Sequence, residues 1–134
     1  MTLKKKYKNE ADLQKNVAKY LNYVLPKGSV FHHSPNEGWK MTIAWKMKLK
    51  NMGFRAGWPD LEIFCPESKP IFIELKQPKN YLSPNQKEVK EILGALPVVY
   101  AMCRSVNEVA AVLRTQVMLR PHGMAEAILL AEDG

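Results

Sequence analysis

The hydrophobic residues in the first third of the chain recur at the spacing of a helix. They fall every three or four positions, at Leu13, Val17, Tyr20, Leu21 and Val24. Asn9 is a residue type that caps helix starts, and Glu10 and Asp12 follow in the first turn, where the helix dipole favours acids. Residues 26–28, Pro-Lys-Gly, end the pattern. The sequence therefore predicts a helix from residue 10 to residue 24.

Short hydrophobic runs bounded by turn-forming residues predict strands farther along. Such runs lie at residues 30–32, 61–65, 71–76 and 97–102. The turn-forming residues 66–70 separate the second run from the third, which predicts a β-hairpin.

Further helices are predicted between and after these strands. One covers residues 41–52, with Gly53 as its C-terminal signal. Two others open with capping boxes, Ser83-Pro84-Asn85-Gln86 and Ser105-Val106-Asn107-Glu108, the second leading into residues 109–114. The resulting order, α-β-(α)-β-β-α-β-α, is typical of a mixed sheet covered by helices.

The length of 134 residues suits a single compact domain. We therefore predict one α/β (α+β) domain over residues 1–134, with its core at about 9–114 and a C-terminal tail at 115–134. The apolar patch at residues 125–131 has no assigned structure and is a candidate dimer surface.

Composition narrows the class of protein. With 46% hydrophobic and 25% charged residues the chain is globular, and no apolar run approaches the ~20 residues that span a membrane. Cys65 and Cys103 are isolated, and no secretory signal pattern follows the basic N-terminus. We expect a cytoplasmic protein with reduced thiols and no membrane association.

The net charge of +7 is unevenly distributed. Residues 1–58 hold twelve Lys/Arg and three Asp/Glu, a balance of +9, whereas residues 59–134 hold eight and ten, a balance of −2. A basic front half favours a polyanionic partner such as nucleic acid. The alternative is that the lysines only solvate helix faces.

The predicted hairpin brings two acids together. Asp60 and Glu74 are symmetric about Glu67, the middle of the turn, so a simple antiparallel register places them opposite each other with Cβ atoms ~5 Å apart. Alternation then sends one set of side chains to an apolar face, namely Leu61, Ile63, Ile71, Ile73 and Leu75. The opposite face carries Asp60, Glu62, Phe72, Glu74 and Lys76.

Two opposed carboxylates repel each other unless a cation lies between them. Oxygen ligands favour a hard divalent metal such as Mg²⁺, and Lys76 lies beside the pair on the same face. The alternative is an ordinary solvent-exposed strand face, where acids and lysines are common.

Four ordered sequence blocks carry a family resemblance. They are Glu10-Ala11-Asp12-Leu13-Gln14, the run Met52-Gly53-Phe54-Arg55-Ala56-Gly57-Trp58-Pro59-Asp60-Leu61, Ile73-Glu74-Leu75-Lys76 and Leu82-Ser83-Pro84-Asn85-Gln86. The chain resembles the VRR-NUC (virus-type replication-repair nuclease) family of the PD-(D/E)XK nuclease superfamily, over about residues 9–114. One departure is the loop Pro35-Asn36-Glu37-Gly38, where Glu37 separates an expected Asn-Gly pair. The resemblance implies a restriction-endonuclease-like αβββαβ core.

The resemblance also implies roles for residues. Asp60, Glu74 and Lys76 would be catalytic, and Mg²⁺ or Mn²⁺ would be bound by Glu10, Asp60, Glu74 and the carbonyl of Leu75. Such a metal polarises phosphate and activates water, while Lys76 orients the water or offsets charge in the transition state. Hydrolysis of the phosphodiester bond would leave a 5′-phosphate and a 3′-hydroxyl.

Other positions have competing interpretations. Glu10 alternatively complements the helix dipole, Gln14 supports the site or coats the surface, and Gln86 assists near the phosphate or only completes its capping box. His32 and His33 are expected in packing or at the surface.

Candidate DNA contacts flank the site in sequence. The cations are Lys40, Lys46, Lys48, Lys50 and Arg55, which would bind phosphates in a salt-dependent manner. The tryptophans at 39, 45 and 58 are candidates for stacking on unpaired bases, and burial in the core is the expectation for Trp45.

For the substrate, the resemblance favours a homodimeric Holliday-junction resolvase of phage type, acting on four-way DNA junctions in a bacterial or phage-infected cell. The alternatives are a flap- or end-processing repair nuclease and a DNA-binding module without catalysis.

Overall fold

The structure, a computed structural model, describes residues 7–34 and 42–133. In chain order the elements are α1 (Glu10–Val24), β1 (Val30–His33), α2 (Ile43–Asn51), β2 (Leu61–Phe64), β3 (Ile71–Leu75), α3 (Pro84–Gly94), β4 (Val99–Cys103), α4 (Val106–Arg114) and α5 (Gly123–Glu132). The predicted α/β class is confirmed. No helix within the described ranges is long and apolar enough to cross a membrane.

The sheet has the strand order β1-β2-β3-β4. Both pairs formed by β2 are antiparallel, whereas β3 and β4 are parallel because α3 crosses over between them. Across the hairpin Leu61 pairs with Ile73 and Ile63 with Ile71, which is the register that symmetry about Glu67 predicts. The sheet is therefore mixed, as expected.

Helices cover both faces of this sheet. The apolar face of the hairpin packs into the main core with α1, α4 and α5. On the opposite face, Phe72 packs with Val89 and Leu93 of α3. All five residues of β3 are consequently buried, so the alternative of a solvent-exposed strand face is wrong for β3. The strand is buried on both sides because α3, the crossover helix between β3 and β4, packs over the face that carries Phe72.

The predicted helix starts are largely confirmed. The side chain of Asn9 accepts a hydrogen bond from the backbone of Asp12, and the Ser83–Gln86 capping box is complete. The second capping box is wrong in detail. Ser105 does accept from the backbone of Glu108, but the Glu108 carboxylate accepts from the backbone of Arg104, one residue before the cap.

The tail contributes a helix that the sequence pattern did not assign. Within α5, Ala125 and Leu129 join the main core, and the buried Glu132 carboxylate accepts from the backbone N–H groups of Val106 (2.8 Å) and Asn107 (2.9 Å). The inward side of the 125–131 patch is thus used within the chain. A dimer surface on its outward side stays a prediction.

Helix α2 stands apart from the core. Its bounds agree with the prediction, but none of its residues is buried. Trp45 is 45% exposed, so its expected burial is wrong. The physical reason is that lysines alternate with apolar residues around this short helix, which leaves it without a continuous apolar face to pack.

Candidate active site

The hairpin ends bring Asp60 and Glu74 into direct contact. Asp60 immediately precedes β2, Glu74 lies near the end of β3, and their carboxyl groups lie within hydrogen-bonding reach of each other. The Asp60 side chain also contacts Leu75, the residue that follows Glu74. Its Oδ2 accepts a hydrogen bond from the backbone N–H of Leu75 at 2.7 Å. The juxtaposition expected from the register is therefore present.

Asp60 is held in place by the end of β1 and by the loop that precedes it. The backbone carbonyl of Asp60 accepts hydrogen bonds from the backbone N–H of Ser34 at 2.8 Å and from the ring of His33 at 3.0 Å, both at the end of β1. Gly57 packs against the start of α3, where an added Cβ would lie 2.5 Å from the backbone of Asn85. His33, expected in packing or at the surface, thus also fixes the backbone of the site.

Glu74 is buried in an unusual electrostatic environment. Its side chain is only 2% exposed, and Oε1 has no hydrogen-bond partner among the described residues. Burial raises the pKa of Glu74 to about 10, with contributions from the hydrogen bond and negative charge of Asp60. Lys76 opposes this pKa shift and Glu10 adds to it. Without a cation, the carboxyl pair therefore retains a proton.

These properties fit a divalent metal bound between Asp60 and Glu74. The orphaned Oε1 is an available oxygen ligand, and a cation would replace the retained proton. A complete three-carboxylate cluster is not assembled, however, since no three His, Cys, Asp or Glu of residues 7–34 and 42–133 are grouped for metal binding. The pair alone is preformed.

Glu10 lies near the Asp60–Glu74 pair, but its carboxylate is hydrogen-bonded to Asn80. Its Oε2 accepts from the side-chain amide of Asn80 at 3.2 Å, while its charge still reaches Glu74. Metal ligation by Glu10 and by the Leu75 carbonyl stays a prediction. Lys76 is half-buried and close enough to lower the pKa of Glu74, which agrees with the side of the hairpin predicted for it.

Arg104 organises the loop after Lys76, although no sequence motif points to it. Its guanidinium donates to the carbonyls of Gln77 (2.6 Å) and Asn80 (2.8 Å) and lies 5.4 Å from the ring centroid of Tyr81. The strand register explains its position: Leu75 pairs with Cys103, so the residues that follow β3 and β4 are neighbours, and no local sequence motif encodes this pairing. Arg104 thereby fixes the loop that presents Asn80 to Glu10.

Two aromatic side chains, those of Tyr100 and Trp58, pack against the cluster around Phe72. Tyr100 is the β4 partner of Phe72, and burial together with the charges of Glu74 and Asp60 raises its pKa. Trp58 donates its indole N–H to Glu62 at 3.0 Å and packs edge-on against Phe72. These internal contacts of Trp58 argue against the stacking role considered for it.

The remaining candidates are more peripheral. The Gln86 side-chain oxygen accepts from the backbone of Ser83 at 2.9 Å, which supports the capping interpretation. Gln14 is half-buried on α1. His32 lies 3.1 Å from Glu62 at the surface. The supporting roles of Gln14 and Gln86 stay predictions, whereas the surface position expected for His32 is the one observed.

The candidate DNA contacts are exposed but not equivalent. The lysines at 46, 48 and 50 lie on the surface of α2 and form no ion pair within the described ranges. Arg55 pairs with Glu88 of α3 at 2.7 Å. Lys40, Trp39 and the loop at 35–38 lie outside the described residues.

Comparisons with known proteins point to one family. The family model described as the VRR-NUC domain matches residues 4–107. A solved structure described as a VRR_NUC domain protein shares 26% identity and a TM-score of 0.67, covering 84% of this chain and 91% of its own. Another, a VRR_NUC domain, has 19% identity and a TM-score of 0.53 over 78% and 94%, which supports the fold alone. No curated protein matches significantly.

Proposed function

Because the chain belongs to the VRR-NUC domain family, whose function is nuclease-type DNA processing, we propose that it is a metal-dependent DNA endonuclease that hydrolyses phosphodiester bonds. The observation that carries the proposal is the buried Glu74, with one unpartnered carboxylate oxygen, in contact with the half-buried Asp60 and close to Lys76. A structural role alone does not account for a carboxylate that is buried, orphaned and adjacent to a second acid.

Asp60 and Glu74 would hold Mg²⁺ or Mn²⁺, with the Leu75 carbonyl and Glu10 as further ligands. When bound, the metal supplies Lewis-acid chemistry toward water and phosphate. Lys76 orients the attacking water and offsets the negative charge that develops on the phosphate. The Leu75 N–H keeps Asp60 in position. Arg104 holds the loop that carries Asn80 next to Glu10.

The first experiment tests catalysis. Asp60→Asn, Glu74→Gln and Lys76→Ala should each lower cleavage at least 100-fold, with folding checked by circular dichroism, because each variant removes a ligand or charge from the reacting centre. Glu91→Gln, an exposed acid of α3, is the matched control and should cut normally. Full activity in Asp60→Asn would contradict the assigned site.

For the substrate, we propose a four-way DNA junction cut by a homodimer. Two sites related by a two-fold axis make paired nicks in such a junction. Four-way, flap and linear DNAs with Mg²⁺, Mn²⁺ or EDTA separate the alternatives, and light scattering gives the oligomer. Cleavage restricted to flaps or ends would replace the resolvase proposal with a repair nuclease. Binding without any cleavage would leave a DNA-binding module.

A further inference from the structure

Helix α2 exposes large apolar side chains that no described element covers. Those on the helix are Ile43 (78% exposed), Trp45 (45%) and Met47 (62%), and Met52 and Phe54 follow directly. The other four helices of the described ranges each bury at least three residues. Several exposed apolar residues on one short element mark a surface that meets a partner.

The charge of this segment identifies the chemistry of the partner. Residues 42–59 contain four cations, Lys46, Lys48, Lys50 and Arg55, and no acid. A second copy docking through the same face would oppose cations to cations, since a two-fold interface brings identical patches together. Nucleic acid instead combines phosphates with flat apolar base faces, which matches lysines interleaved with apolar side chains.

The segment is also tethered beside the proposed catalytic centre. Arg55 is paired with Glu88, and Gly57 packs against Asn85, so the loop leading to Asp60 is anchored on α3. Only residues 52–54 separate the end of α2 from Arg55, a span of at most ~14 Å. A nucleotide bound by α2 would therefore lie near the strand being cut.

We infer that α2 recognises DNA with exposed base faces, as at an unpaired nucleotide or the open end of a branch arm, next to the cleaved phosphate. This inference rests on the proposed nuclease function. Trp45 stacks on the exposed base, and the lysines hold the adjoining phosphates. The Nζ of Lys48 lies over the Trp45 ring, 5.4 Å from its centroid, so one face of the ring already has a cation that can contact a phosphate next to the stacked base. In continuous duplex each base face is covered by its neighbours, so only interrupted DNA offers this contact.

The test compares Trp45→Ala with Phe64→Ala. Phe64 is a matched control, since it is 42% exposed but lies at the end of β2 away from Asp60. Fluorescence anisotropy without metal would measure binding to labelled single-stranded DNA, branched DNA and a covalently closed circular duplex, which has neither ends nor unpaired loops. Trp45→Ala should bind the first two about tenfold more weakly and the duplex unchanged. Phe64→Ala should bind all three like the wild type, whereas Lys48→Ala should weaken all three equally.

Other results would overturn the inference. Wild-type binding by Trp45→Ala, or an equal loss on duplex, would exclude base stacking. If the wild type is a dimer and Trp45→Ala is a monomer that still binds DNA normally, α2 packs against a second copy of the chain instead of against DNA. Thermal melting should stay close to that of the wild type, because Trp45 is 45% exposed on a helix that buries no residue. A different result would contradict the nuclease proposal. If the wild-type protein binds DNA with this Trp45-dependent preference but cuts none of the DNAs, the nuclease function is contradicted, whereas the role of α2 in DNA binding is supported.

Discussion

At the scale of single residues, the decisive property is the protonation of Glu74. Its pKa is near 10 in the folded protein without metal, against about 4.5 in the unfolded chain. Between these values the unfolded chain has released a proton that the folded protein keeps. The free energy of unfolding should therefore fall as pH rises through this window, by at most about 1.4 kcal/mol per pH unit.

Denaturation in EDTA at pH 5, 7 and 9 measures this dependence. The wild type should lose stability toward pH 9, and Glu74→Gln should lose distinctly less because its amide does not titrate. Mg²⁺ should restore the wild type at pH 9 and have little effect on the variant. Parallel pH profiles for the two proteins would contradict the assignment.

Gly57 gives a second prediction at this scale. Its φ is +84° and an added Cβ would meet the Asn85 backbone at 2.5 Å, so Gly57→Ala should cost about 3 kcal/mol of unfolding free energy and displace the loop before Asp60. Gly94→Ala, where nothing lies within 4 Å, should change stability by less than about 1 kcal/mol. Urea denaturation compares the two, and equal effects would rule out the close approach as the reason for a glycine at 57.

How far the site could be predicted depends on the contact considered. The Asp60–Glu74 contact followed from strand alternation and a symmetric turn, because a hairpin without a bulge has a fixed register. The hold of Arg104 on Gln77 and Asn80 comes from the parallel neighbour β4, whose register no local motif encodes. Long-range partners of this kind were therefore missed.

At the scale of elements, the caps of α1 and α3 were readable from sequence, whereas the environments of α2 and α5 were not. A local pattern shows that a segment is helical but not which surface receives it. The alternation of lysines with apolar residues leaves α2 without a continuous apolar face, but the sequence pattern was interpreted only as a helix with Trp45 in the core. The apolar residues around Leu129 did not indicate that α5 would complete the core. Tertiary packing decided both.

Glu132 provides the prediction at this scale. Its buried carboxylate caps the start of α4 through Val106 and Asn107 and also accepts from the hydroxyl of Tyr7. Glu132→Gln would turn an N–H₂ group toward these donors, which should cost about 2–3 kcal/mol and lower Tm by roughly 10 °C. Glu126→Gln, exposed on the same helix, is the control for calorimetry. A Tm unchanged in Glu132→Gln would show that this cap is dispensable.

At the scale of the whole molecule, the charge asymmetry predicts how DNA binding responds to salt. The +9 balance of residues 1–58 includes Lys46, Lys48 and Lys50 of α2, and each of these that contacts a phosphate should release about one counterion. Replacing both Lys48 and Lys50 with alanine should reduce the slope of log K against log salt concentration by about two. Anisotropy titrations from 50 to 300 mM salt measure it. An unchanged slope would remove these lysines from the interface.

The free position of α2 has a consequence for proteolysis. Trypsin cuts after lysine and needs an accessible segment that can open locally. Helix α2 offers Lys46, Lys48 and Lys50, and none of its residues is buried. Limited digestion should nick the chain there first, and bound DNA should delay the nick. Because β1 remains paired with β2 across the break, the two fragments should stay associated and keep Asp60 beside Glu74.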